Sequence, residues 1–110
     1  VTDTRDAYEA YTRGQELLAA HEFRQASVAL ERAKALEPEK GSIREALGRA
    51  YLSSRAYRNA ASEFAKAVEL APTDYYAHYG LARALDRLGE RRMAARHYKL
   101  ARMFGRPASA

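Results

Sequence analysis

At 110 residues, with 47% hydrophobic and 30% charged side chains, the chain has the size and balance of one globular domain. It contains no cysteine, which excludes disulfides, zinc-thiolate sites and thiol catalysis. Its apolar runs reach only three or four residues, too few to span a membrane. The formal net charge is +5, and the excess lies in the last third. Residues 1–74 nearly balance, whereas 75–110 set Arg83, Arg87, Arg91, Arg92, Arg96, Lys99, Arg102 and Arg106 against only Asp86 and Glu90. The first residues, VTDTRDAY, begin with Val rather than Met and lack the basic start and apolar run of a secretory signal, so a cytoplasmic location is expected.

The apolar content is mostly alanine and leucine, with Val1, Val28, Ile43 and Val68 as its only β-branched members. That mix favours helix, because Ala and Leu lose little side-chain freedom there. Shifted by 34 residues the chain matches itself, which divides it into units 7–40, 41–74 and 75–108 of one domain. Ala26, Ala60 and Ala94 share a column, as do Ala33, Ala67 and Ala101. Larger residues recur as Leu17, Tyr51 and Leu85, as Leu30, Phe64 and Tyr98, and as Leu36, Leu70 and Phe104.

In chain order, unit one is expected to form two helices closed by Pro38, since proline has no N–H to continue the ladder. Unit two repeats this over 41–74. Ser42 and Glu45 stand at capping-box spacing for its first helix, Ala60, Phe64, Ala67 and Leu70 mark its second, and Pro72 closes it. Gly48 and Ala60 are expected to face each other, letting the two helices approach, and Ala67 to admit the next pair. Asp74 is the expected N-cap of unit three, Gly89 its internal turn, and 91–104 its last helix. Pro107 falls one place late in the period, and Ala82 replaces the glycine seen at Gly14 and Gly48. Neither helix of a pair can bury its stripe alone, so the pairs must stack.

Leu47-Gly48-x-x-Tyr51, Ala60-x-x-x-Phe64, Ala67 and Pro72, with the 34-residue period, resemble the tetratricopeptide repeat. The likeness covers residues 7–107. The family's tryptophan is replaced by Ala10, Arg44 and His78, and one expected leucine by Arg13. The resemblance implies an all-α, right-handed superhelical solenoid of three repeats and about six helices. It also implies a concave groove, lined by the first helix of each pair, that holds a peptide of a partner protein. Carried over residue by residue, the groove set is Tyr8, Tyr11, Gln15 and Leu18, then Glu45, Arg49 and Leu52, then Tyr76, Tyr79, Arg83, Asp86 and Arg87. Tyrosine and arginine are favoured at binding hot spots. Some members grip acidic chaperone tails with a carboxylate clamp. Its positions here are Tyr11, Gln15, Ala46, Tyr76 and Gly80, none charged, so a chaperone-tail adaptor is not expected.

No catalytic or metal motif appears. His21, His78 and His97 have no ligand spacing and read as surface or turn residues, so an enzyme, a metal and a cofactor are not expected. The expected role is a non-catalytic interaction module or scaffold. Two alternatives stand beside it. Arg92, Arg96, Lys99 and Arg102 form a basic face on the last helix, suited to an acidic partner or polyanion, although the dense basic face with aromatic stackers usual for nucleic acid is missing. Met93, Leu100, Met103 and Phe104 cannot all point inward, which suggests self-association or the docking of a partner helix through the C-terminal end, or a chain cut from a longer array.

Overall fold

The computed structural model describes residues 2–106. Six helices fill that span: α1 Thr2–Ala19, α2 Phe23–Leu36, α3 Gly41–Ser53, α4 Tyr57–Leu70, α5 Tyr75–Arg87 and α6 Arg91–Gly105. No strand occurs among the described residues. Pro107, and with it the end of the third expected unit, lies outside them.

The three turns inside the pairs are built alike. His21, Arg55 and Gly89 occupy one column and have φ of 60°, 65° and 84°, the left-handed conformation that ends many helices. The next N–H then reaches back to close the helix: Glu22 N to Leu17 O at 2.8 Å, Ala56 N to Tyr51 O at 2.8 Å, Glu90 N to Leu85 O at 2.9 Å. Only the third turn has the glycine that adopts this conformation freely. Between pairs, α2 and α4 stop two residues before Pro38 and Pro72. Asp74 Oδ1 accepts from Tyr76 N at 3.0 Å and caps α5. The expected capping box at Ser42 does not form. Helix α3 starts two residues earlier, its N-cap is Lys40, and no side chain bonds there; Glu45 lies beside Asp74 instead.

Two apolar clusters hold the stack: one joins α1 and α2 to α3, the other joins α4 to α5 and α6. The first gathers Leu17, Leu18, Ala26, Leu30, Ala46, Leu47 and Ala50. The second gathers Ala60, Phe64, Leu81, Ala84, Leu85 and Ala94. The nearest neighbour of Gly48 is Phe64. A Cβ on Gly48 would lie 2.7 Å from Phe64 Cε2, and one on Gly80 would lie 2.3 Å from Phe64 Cε1. One ring is thus gripped by backbone from two successive units. The unit before solves the same problem with a smaller residue. Leu30 replaces the ring, Gly14 stands within 2.5 Å of it by the same measure, and Ala46 suffices where Gly80 is needed for Phe64.

A buried ionic knot ties units one and two. Glu63 is only 6% exposed and accepts from Lys34 Nζ and Arg44 Nη1, both at 2.9 Å. Tyr51 donates to Glu31, which also pairs with Lys34. Burial opposes the charge on Lys34, but the carboxylates of Glu63 and Glu31 outweigh it and hold its pKa above the ordinary value.

Successive first helices approach one another, α1 to α3 and α3 to α5, whereas α2 and α4, and α4 and α6, have no Cα atoms within 8 Å. The stack therefore bends with its first helices on the inside.

Candidate functional site

The inner face carries an open cavity of about 320 Å³ assembled from all three units. Tyr11 and Gln15 come from α1, Ser42, Glu45 and Arg49 from α3, Ala71 from the loop after α4 and Tyr76 from α5. They meet because each first helix turns the same register inward. Gln15 Nε2 donates to Tyr11 OH at 2.8 Å, which fixes one wall. The Tyr76 ring stands edge-on to Phe64, centroids 6.3 Å apart, so the far wall rests on the core.

Two carboxyls share this cavity's edge. Burial, and then a hydrogen bond to Asp74 and the charge of that group, push Glu45 up to about 8. Asp74 keeps its lone pairs engaged at the α5 cap. Glu45 thereby offers less negative charge to the cavity than an ordinary carboxylate, and Arg49 supplies its positive group. Burial likewise raises Tyr76, with Arg49 pulling the other way.

Of the groove set, Tyr11, Gln15, Glu45, Arg49 and Tyr76 line this cavity together. Tyr79 is 45% exposed, further along α5, with the Arg83 guanidinium 6.0 Å from its ring centre. Tyr8, Asp86 and Arg87 are exposed but outside the cavity, and Arg87 lies over Tyr57. Leu52 packs against the second core cluster. Leu18 is a correction: at 5% exposure it belongs to the first core cluster and offers almost no surface, because its side chain fills the space under α3.

A second cavity, about 640 Å³, opens between α5 and α6 at the C-terminal end, lined by Tyr75, Tyr76, Tyr79, Tyr98, Ala101, Arg102, Gly105 and Arg106. Sequence reasoning placed Tyr98 in a packing column with Leu30 and Phe64 and so passed over it. The opposite end differs: the cavity between α1 and α2 is lined largely by charged and polar residues, among them Asp6, Glu9, Arg13, Gln25 and Arg32.

Arg92, Arg96, Lys99 and Arg102 are all exposed, and none forms an ion pair with a described residue. Met93 and Met103 are exposed, at 52% and 58%. Leu100 is half-buried, and Phe104, 38% exposed, lies against His78 with ring centres 5.5 Å apart. His78 is not a surface residue; it is 3% exposed. Its Nε2 donates to Pro72 O at 2.7 Å, since a carbonyl only accepts. In the neutral pair its Nδ1 therefore accepts from His97 Nδ1–H at 3.0 Å. Burial lowers the pKa of His97, helped by His78 and Arg96. His21 sits in a turn. Among the described residues no group of three or more His, Cys, Asp or Glu could hold a metal, and no helix is long and apolar enough to cross a membrane.

No family model and no curated protein matches this sequence. Solved structures do match the fold. MamA from Desulfovibrio magneticus RS-1 (residues 41 to the end) is 25% identical, with a TM-score of 0.84 over 92% of this chain and 57% of that one. The second TPR of Spaghetti (RPAP3), bound to the HSP90 peptide SRMEEVD, is 17% identical, with a TM-score of 0.87 over 94% of this chain and 97% of that one. The TPR2AB domain of yeast Sti1, in a pHSP90 complex, is 22% identical, with a TM-score of 0.84 over 91% of this chain and 39% of that one. The chain spans between 56% and 74% of the length of the MamA chains it matches.

Proposed function

Proceeding from a chain that folds as three tetratricopeptide repeats, we propose that it is a non-catalytic protein-interaction module whose inner face holds a segment of a partner protein. The observation that carries this reading is the convergence of Tyr11, Gln15, Glu45, Arg49 and Tyr76, from three separate units, on one open cavity. Tyr11 and Tyr76 offer flat apolar area with few rotatable bonds and a polar tip. Arg49 can take a carboxylate through two parallel N–H bonds. Burial and Asp74 push Glu45 up to about 8, which lessens its repulsion of such a group.

The structural relatives support the reading, since two of them were solved with HSP90 ligands. The ligand here is of another kind. Ala46 and Gly80, at two of the five clamp positions, are core contacts of Leu30 and Phe64, and Tyr11, Gln15 and Tyr76 bring no charge to the rest. The cavity suits an extended segment with one acidic group for Arg49 and an aromatic or apolar side chain against Tyr11 and Tyr76. Tyr79 and Arg83 continue the face and can bind the next residues.

Selection of a random peptide library on the intact protein tests this. The selected peptides are expected to weaken by about tenfold or more on Tyr11→Ala and on Arg49→Glu, with far-UV circular dichroism unchanged. Equal affinity for the parent and both variants sinks the proposal.

A further inference from the structure

We infer that the joint between α5 and α6 is a proton-operated latch: the imidazoles of His78 and His97 hold the third helix pair closed while both are neutral, and acid frees α6 from α5. Neither histidine lines the peptide cavity, and the latch works without it. The repeat shows what the two histidines replace. One period earlier, the places of Pro72, His78 and His97 are held by Pro38, Arg44 and Glu63. There Arg44 bridges the pair: its Nε donates to Pro38 O and its Nη1 to Glu63 Oε1, both at 2.9 Å. In the third unit His78 makes the same two connections, through Nε2 to Pro72 O at 2.7 Å and through Nδ1 to His97 Nδ1 at 3.0 Å. The ring centres stand 5.2 Å apart, so the rings meet nitrogen to nitrogen rather than face to face. A guanidinium keeps its proton throughout, whereas an imidazole gains one between about pH 5 and 8. The bridge is the same in place and different in response.

In the neutral pair every proton has a place. His78 gives its N–H to Pro72, and His97 gives its own to His78 Nδ1, so the closed form needs no counterion. A further proton enters at His97 Nε2. Burial, His78 and Arg96 all oppose that cation and lower the pKa of His97 from its ordinary 6.5. One more proton falls on His78 Nδ1 and sets two N–H groups head to head. His78 has no room to turn away: it is buried, held at Nε2 by the loop and covered by the Phe104 ring. His97 is half-buried, and α6 moves with it. The surroundings bring no relief. Lys34 and Glu31, which flank the bridge of unit two, are replaced on α4 by Val68 and Ala65. Glu69 on α4 pairs with Lys66, and Glu63 with Lys34 and Arg44. Asp74 is engaged at the start of α5, and the neighbours on α6, Arg96 and Lys99, are cations. No described carboxylate forms an ion pair with either imidazole. The latch therefore contributes fully above the ordinary value of 6.5 and is lost as pH falls through the lowered value of the folded state.

Amide hydrogen exchange on the full chain tests this, with α6 read against α2 at about pH 7.5 and about pH 5.5, corrected for intrinsic rates. Protection of α6 relative to α2 is expected to fall about threefold or more on acidification. His97→Gln keeps an N–H for His78 Nδ1 and does not titrate. His78→Arg combined with His97→Glu rebuilds the bridge of unit two. Both are expected to lose the acid response, and His21→Gln, in a distant turn, to keep it. Glu45 titrates in the same window, and its part cancels because every species is read at the same two pH values. If His97→Gln loosens α6 at both, the double variant decides. Imidazole nitrogen resonances at the higher pH are expected to show the Nε2–H tautomer at His78 and the Nδ1–H tautomer at His97. Unchanged α6 protection in the parent overturns the inference. So does a double variant that responds to acid as the parent does, a His21→Gln variant that has lost the response, or a proton on Nε2 of both rings.

Discussion

Gly80→Ala probes the contact on which the stack turns. The added methyl lands 2.3 Å from Phe64 Cε1 and 2.4 Å from Cζ, well inside the ~3.5–4.0 Å of ordinary carbon contact. The ring cannot slide away, because its other edge already touches Gly48, where a Cβ would stand at 2.7 Å, and Phe64 is fully buried. Overpacking of this kind costs about 1–3 kcal/mol. Alanine in a helix regains about 1 kcal/mol over glycine, so a net loss of up to about 2 kcal/mol is expected. Phe64→Leu alone leaves a void and costs about as much. In the double variant the methyl enters that void, recreating the Leu30 and Ala46 arrangement of the unit before. The two losses are then not additive, with a coupling of about 1–2 kcal/mol. Urea unfolding followed by far-UV circular dichroism measures all four species. Gly41→Ala, which meets nothing within 4 Å, is the control and is expected to be neutral or stabilising. The reasoning is refuted if Gly80→Ala stabilises like the control, or if the two substitutions add.

Three other outcomes follow from the structure. Arg55→Gly is expected to raise stability by about 1 kcal/mol and Gly89→Ala to lower it by a similar amount, because both positions are left-handed and only glycine adopts that conformation without strain; thermal unfolding of both checks this. Glu63→Gln is expected to cost about 2–3 kcal/mol, below the usual loss for a broken buried pair, because Lys34 keeps Glu31 and Arg44 keeps the Pro38 carbonyl; denaturant titration reads it. Glu45 binds its proton more tightly folded, at about 8, than at its ordinary 4.5. Between those values the folded state holds the extra proton, so stability falls as pH rises through them. After discounting for solvent screening the fall is about 1–2 kcal/mol. Glu45→Gln is expected to flatten that profile, and an unchanged slope contradicts the pairing with Asp74.

The six helices were legible in the sequence because a 34-residue period multiplies weak local signals: each small-residue column is seen three times. Asp74 was readable as a cap and Gly89 as a turn because both act within a few residues of themselves. What escaped were choices between distant partners. Ser42 and Glu45 have capping-box spacing, but Glu45 is drawn to Asp74, in the following loop. Gly48 was matched to Ala60 because both are small, and that pairing did not reveal that the atoms nearest Gly48 belong to the largest neighbour, Phe64. His78 looked like surface until the Pro72 carbonyl and His97 satisfied both its nitrogens. The ionic knot at Glu63 draws on three helices, and no local pattern announces it. Left-handed φ at His21 and Arg55 was hidden because neither is glycine, although both share the column of Gly89. On the inner face, Leu18 was misplaced for a related reason: helical spacing gives a direction, and only the neighbouring α3 decides whether that direction is solvent or core.

The most direct test of the central claim is amide-resonance mapping of the whole chain with a peptide selected on the intact protein. The account predicts that the perturbed residues cluster on the inner face, at Tyr11, Gln15, Glu45, Arg49 and Tyr76 in three different units. Perturbations confined to α2, α4 and the outward side of α6, with those five unmoved, would contradict it.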